Sequence, residues 1–180
     1  MLKVTVPPGE FYDSVKNEFR VTKEQELTLE HSLVSISKWE SKWCKPFLSA
    51  TKMSQDEVLD YIRCMTLTQN VDPMVYYAIT SDVFKEITDY MNRPMTATTF
   101  RKNDASSSSS EVITSEIIYY WMIELGIPIE FAKWHINRLL TLIRVCNIKR
   151  QPPKSIPKSE LYARNKALND ARRKAHHTKG

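Results

Sequence analysis

The segment Thr114 to Ile148 constrains the fold more than any other part of the chain. Ile117, Ile118, Tyr119, Tyr120, Trp121, Met122 and Ile123 follow one another without a break, between Glu116 and Glu124. A helix from Thr114 to Leu125 accounts for this run. Gly126 stands where a left-handed C-terminal cap belongs, and Pro128 suits the first turn of a following helix. That second helix is predicted to reach about Ile148. Glu130, Lys133, Asn137, Thr141 and Arg144 recur at helical spacing and leave a wide apolar face holding Phe131, Leu139, Leu142, Ile143 and Cys146. Two helices joined this tightly form an antiparallel αα-hairpin, here expected at the centre of the core near 114–148.

Upstream, the period changes twice. Leu2, Val4 and Val6 alternate with polar neighbours, as do Leu27 and Leu29, so residues 1–30 read as a small β element of a hairpin or two short strands. Pro7-Pro8-Gly9 breaks the first run. From Ser32 the spacing is helical: Leu33, Ile36, Trp39 and Trp43 share a face, Ser35, Lys38, Glu40 and Lys42 are expected to face away, and Pro46 ends the helix. Ser54-Gln55-Asp56-Glu57 has the form of a capping box and opens a second helix with Val58, Leu59, Ile62 and Met65. Shorter helical segments follow near Pro73–Ile79 and Ser81–Met91, with Ser81 and Asp82 suited to cap the latter. Residues 101–110, with five consecutive serines, read as a flexible Ser-rich loop. The fold class expected is therefore mainly α, or α+β with a small N-terminal β element, in a globular body over 1–150 and a basic C-terminal arm over 151–180.

Composition excludes several function classes. No run approaches the ~20 apolar residues of a membrane span, and Pro7, Pro8 and Glu10 interrupt the N-terminus where a signal core would lie. Cys44, Cys64 and Cys146 are odd in number and form no C-x-x-C pair, which fits free thiols in a reducing compartment. With only Gly9, Gly126 and Gly180, no glycine-rich loop can cradle a phosphate. No nucleophile elbow or H-E-x-x-H motif is present. Phe131, Ala132, Arg138 and Leu139 surround His135 at helical spacing and offer no metal ligand, and His176-His177 is too small a pair for a metal site. Asp56/Glu57 and Glu24/Glu26 fit helix capping and solvated surface. No catalytic residue, cofactor or metal is expected.

The charge is unevenly placed. From Lys149 to Gly180, ten Lys or Arg face only Glu160 and Asp170, a net +8, which leaves −3 on the other 148 residues of a chain of net +5. The arm is thus the candidate partner-binding segment, through Lys154, Lys158, Arg164, Lys166, Arg172, Arg173 and Lys174. A final helix starting near Ser159 has few and mostly small apolar residues, and is expected to fold on a partner. The same cations suit nucleic-acid phosphates, although Tyr162 alone provides no stacking platform.

Several blocks carry a resemblance. Glu116 to Met122, Gly126-Ile127-Pro128, Lys133 to Lys149 and Arg164 to Lys174, together with Glu30 to Glu40, Lys45-Pro46-Phe47-Leu48 and Met95-Thr96-Ala97-Thr98, resemble the tail assembly chaperones of long-tailed phages of actinobacteria. The resemblance touches most of the chain. It implies a non-enzymatic assembly factor in the host cytoplasm, absent from the mature virion, whose partners are the tape measure protein and the tail-tube subunit. Such chaperones are often made in two forms by a programmed frameshift, and this chain would then be the shorter, with the arm at the junction. Self-association is a further expectation. Two other classes stand beside it: a nucleic-acid-binding protein using the arm, and a structural virion component such as a head–tail connector.

Overall fold

The computed structural model of the protein describes residues 1–13, 17–50, 52–100, 112–150 and 158–176. It falls into two compact units, Met1–Cys146 and Asn147–Gly180, with a continuous helix carrying the chain across that boundary. The architecture is mainly α, with a small β element at the N-terminus.

The β element is larger than the alternation predicts. Strands β1 (Leu2–Val6) and β4 (Gln25–Leu29) pair antiparallel with Leu2 opposite Leu29 and Val4 opposite Leu27, so their apolar residues share the inner face. Between them β2 (Gly9–Asp13) and β3 (Glu18–Thr22) form a second two-stranded sheet. Its apolar residues Tyr12, Phe19 and Val21 point outward, with Phe19 68% and Val21 70% exposed, which is why no buried alternation announces this hairpin. Gly9 is needed where it stands. A Cβ there would lie 2.9 Å from both Ala78 and the Phe11 ring, and its N–H donates to the Thr22 hydroxyl at 3.0 Å to close the sheet end. Strand β4 also serves the segment after the second helix: Glu30 N–H donates to Met65 O, and Leu67 N–H to Thr28 O.

Helix α1 (Leu33–Trp43) begins at a capping box of Ser32 with Ser35 and ends at Cys44, whose φ of +52° closes the helix in the left-handed region. It stops before Pro46 is reached. Helix α2 (Gln55–Met65) opens on the expected Ser54/Glu57 capping box. A 3₁₀ segment, Pro73–Ala78, and helix α3 (Ser81–Asn92) follow, but Thr80 caps α3, its side chain accepting from Val83 N–H, in place of Ser81 or Asp82. The expected loop at 101–110 lies outside the described residues. Helix α4 (Ser115–Leu125) ends at Gly126 with φ +69°, and Ile127 N–H returns to Met122 O at 2.8 Å.

The second member of the expected αα-hairpin is not one helix. A 3₁₀ segment, Ile129–Lys133, is separated from α5 (Ile136–Arg150) by Trp134 and His135. The physical reason is a competing partner: Ser32 and His135 form a β-bridge, and Ile136 N–H donates to His31 O at 2.7 Å. These long-range bonds replace the helical bonds that a continuous helix would make there. Helix α1 packs against α2, α4 and the second 3₁₀ segment, while α3 packs against β1. The fully buried side chains follow this arrangement: Leu27, Leu29, Leu33, Ile36, Trp39, Ile62, Met65, Ile87, Ile118, Met122, Ile136 and Leu139. Helix α4 buries only Ser115, Ile118 and Met122, while Tyr120 and Ile123 are exposed.

Two residues of α1 expected to face away are buried, Ser35 and Glu40. Ser35 completes the capping box. The Glu40 carboxylate accepts from Phe47 N–H at 2.8 Å and from Ser115 N–H at 2.7 Å. Thr114, the N-cap residue of α4, makes no side-chain capping bond, so Glu40 supplies that cap from 75 residues away.

Two stability outcomes follow from this packing. Glu40→Ala leaves buried N–H groups unpaired and is expected to cost about 2–5 kcal/mol in urea unfolding. Leu139, fully buried, should cost about 2–5 kcal/mol on change to alanine, and half-buried Trp121 less; equal losses for the two would contradict this burial pattern.

Candidate functional site

The buried carboxylates and histidines described inside Met1–Cys146 are committed to holding the fold. Asp60 on α2 accepts from Lys42 Nζ at 2.5 Å and from Trp43 Nε1 at 2.9 Å, and Glu57, one turn earlier, pairs with Lys45. These two pairs, together with Trp39 Nε1 donating to Glu57 O at 2.9 Å, tie α1 to α2. Lys45 and the capping bonds of Ser54 hold the Glu57 carboxyl below its ordinary range. Both oxygens of each carboxylate already accept a hydrogen bond within the fold.

Both body histidines are buried and occupied. His31 Nδ1 and the Tyr61 hydroxyl lie 2.5 Å apart, and the imidazole rings of His31 and His135 meet edge-on at 5.1 Å. His135 accepts at Nδ1 from Asn137 N–H, so its proton sits on Nε2, which faces Tyr90 O at 3.2 Å. Burial, and secondarily His135, lowers the His31 pKa to about 3, while burial lowers that of His135. Tyr61 and Tyr90 are both raised, chiefly by burial, and stay protonated; Tyr90 donates to Glu30 at 2.8 Å. This is a satisfied polar layer within the core, as the surroundings of His135 in the sequence imply.

Among the described residues a cleft lies beside this layer. It has a volume of about 300 Å³ and opens beside the start of α1, with an almost wholly apolar wall that includes Val34, Met65 and Leu67. Cys64 lines it as a half-buried thiol, its pKa raised by burial and then by Asp60. Lys38 and Lys133 stand at the same cleft, both exposed. Sequence reasoning missed this site. Its lining comes from segments between residues 1 and 133, and no local periodicity marks such a convergence.

The arm is placed differently. Helix α6 (Lys158–His176) lies in the unit Asn147–Gly180, and each of its side chains described is exposed. It carries Arg164, Lys166, Arg172, Arg173 and Lys174, and begins at Lys158; Lys154 lies outside the described residues. The structure does not gather these cations on one face. Lys166 and Arg173, seven residues apart, fall on a common side, whereas Arg164 and Lys174 fall on others.

Among the described residues no group of His, Cys, Asp and Glu could hold a metal ion, and no helix is long and apolar enough to cross a membrane. Compared with protein-family models, with curated proteins and with solved structures, the chain matches none.

The buried histidines give a pH dependence of defined sign. With a folded pKa of about 3 against about 6.5 unfolded, His31 binds fewer protons in the fold than in the unfolded chain across that window. Its contribution is complete above about pH 6.5 and falls by up to roughly 1.4 kcal/mol per pH unit below it. Thermal unfolding followed from pH 7 to 4 should show this slope, and His31→Gln should flatten it; an unchanged slope would show that other groups set the acid response.

Proposed function

We propose that this chain is a non-enzymatic phage tail assembly chaperone, binding the tape measure protein and assisting assembly of the tail-tube subunit around it. The observation that carries this reading is helix α6, a separate cationic helix with its described side chains turned to solvent. Few and mostly small apolar residues give such a helix little to gain by packing, and it becomes useful when an acidic or amphipathic surface docks on it. The body supports the same reading from the other side. Its buried carboxylates and histidines are consumed by caps, ion pairs and core hydrogen bonds, as suits a scaffold for binding more than a centre for acid–base chemistry. The sequence blocks that resemble tail assembly chaperones run through both parts, from Glu30 to Glu40 and from Arg164 to Lys174. On this reading the chain acts in the host cytoplasm and is absent from the finished particle.

Nucleic-acid binding is the second reading, favoured by the exposed cations of α6. The two are separated by one pair of measurements. Co-expression of the full chain with the tape measure protein should keep that protein soluble, and a truncation after Arg150 should lose at least half of the effect. A tape measure protein equally soluble without this chain would overturn the assembly reading. Tight binding to duplex DNA that weakens steeply with salt would move the assignment to nucleic acid.

A further inference from the structure

The lysines of α1 and of the turn just after it are unequal. Lys42 and Lys45 are neutralised by Asp60 and Glu57 of α2. Lys38, one turn before Lys42, faces the apolar cleft instead, together with Lys133 from the second 3₁₀ segment. Among the described residues neither Lys38 nor Lys133 is in an ion pair. The one carboxylate at the cleft, Glu30, is already engaged by the Tyr90 hydroxyl at 2.8 Å and by the Met1 amine at 3.0 Å. The cleft therefore combines an apolar interior with unneutralised positive charge at its edge.

Its size and chemistry define what fits. A volume of about 300 Å³ is room for about ten water-sized groups, enough for one large aliphatic or aromatic side chain. Met65 gives the wall an adaptable surface, and the Cys64 thiol, kept protonated by burial, behaves there as a small hydrophobe. The polar groups that would orient a free small molecule are either at the edge or already engaged. An anchor projecting from a larger partner needs only the apolar interior and a charge beside it.

We propose that this cleft is a docking site for an acidic amphipathic helix of a partner protein, one large apolar side chain filling the cleft while flanking carboxylates meet Lys38 and Lys133. The occupant follows from charge complementarity: a basic helix, α6 of a second copy included, would be repelled at the same edge. The inference rests on the assembly-factor reading only in supplying a helical client for the site.

The test uses the full chain and a labelled synthetic helix carrying a Leu-Phe-Leu stripe flanked by glutamates, with a second peptide in which lysines replace the glutamates. Fluorescence anisotropy should show the acidic peptide binding, with an affinity that falls as salt rises, and the lysine peptide not binding. The double change Lys38→Glu/Lys133→Glu alters exposed residues and leaves the core intact. It should weaken the acidic peptide at least ~10-fold and confer binding on the lysine peptide. Val34→Trp, which fills the cleft, should abolish binding of the acidic peptide. Failure of the acidic peptide to bind, or binding indifferent to the charge reversal, would overturn the proposal. So would binding of decanoate in its place, which assigns the cleft to a small amphiphile. Because the assay contains no tape measure protein, peptide binding without client protection in cells would refute the assembly reading and leave the docking site standing.

Discussion

The carboxylate of Glu40 joins three parts of the chain that nothing in their local sequence would bring together. From the last turn of α1 it takes one N–H of the turn that follows that helix and the first N–H of α4. A buried carboxylate is costly unless its lone pairs are occupied by donors, and a helix start is a ready source of them. The desolvation of Glu40 and the missing cap of α4 are two deficits that offset each other. With α4 packed against α1, Ile118 and Met122 of α4 and Trp39 of α1 are all fully buried.

The same logic of reciprocal satisfaction recurs across the body. Lys42 of α1 and Lys45 just beyond it meet acids of α2, the backbone at His31 meets that at Ile136, and Tyr90 reaches Glu30 across 60 residues. Each long-range polar contact fixes a register that apolar packing alone would leave free to slide. The exceptions are then informative. Lys38 and Lys133 at the cleft and the cations of α6 are among the exposed charges, and the proposed docking contacts draw on them.

Much of this was legible in the sequence wherever the signal was local. The alternation of β1 and β4, the Ser54/Glu57 box, the extents of α1 and α2, and Gly126 as a helix stop all depend on neighbours within a few residues. What failed was decided at long range. Periodicity predicts one helix through Trp134 and His135, because it cannot register that residues 31–32 compete for the same backbone groups. It also sends Glu40 to solvent, since charge is the only guide when the capping partner lies 75 residues away. The cleft failed for the same reason: Lys38 and Lys133 become a site only after folding. For the arm, the sequence supplied the charge and the helix, and the spacing of the cations spreads them around its surface.

The hairpin of β2 and β3 has a consequence for handling and for life in a crowded cell. It presents the Tyr12, Phe19 and Val21 side chains on one face of a sheet only two strands wide, so each strand keeps one side of its backbone outside the ladder. Strand edges beside apolar side chains are templates for further strands. At high concentration one such hairpin can add its edge to that of another copy while the helical body stays folded.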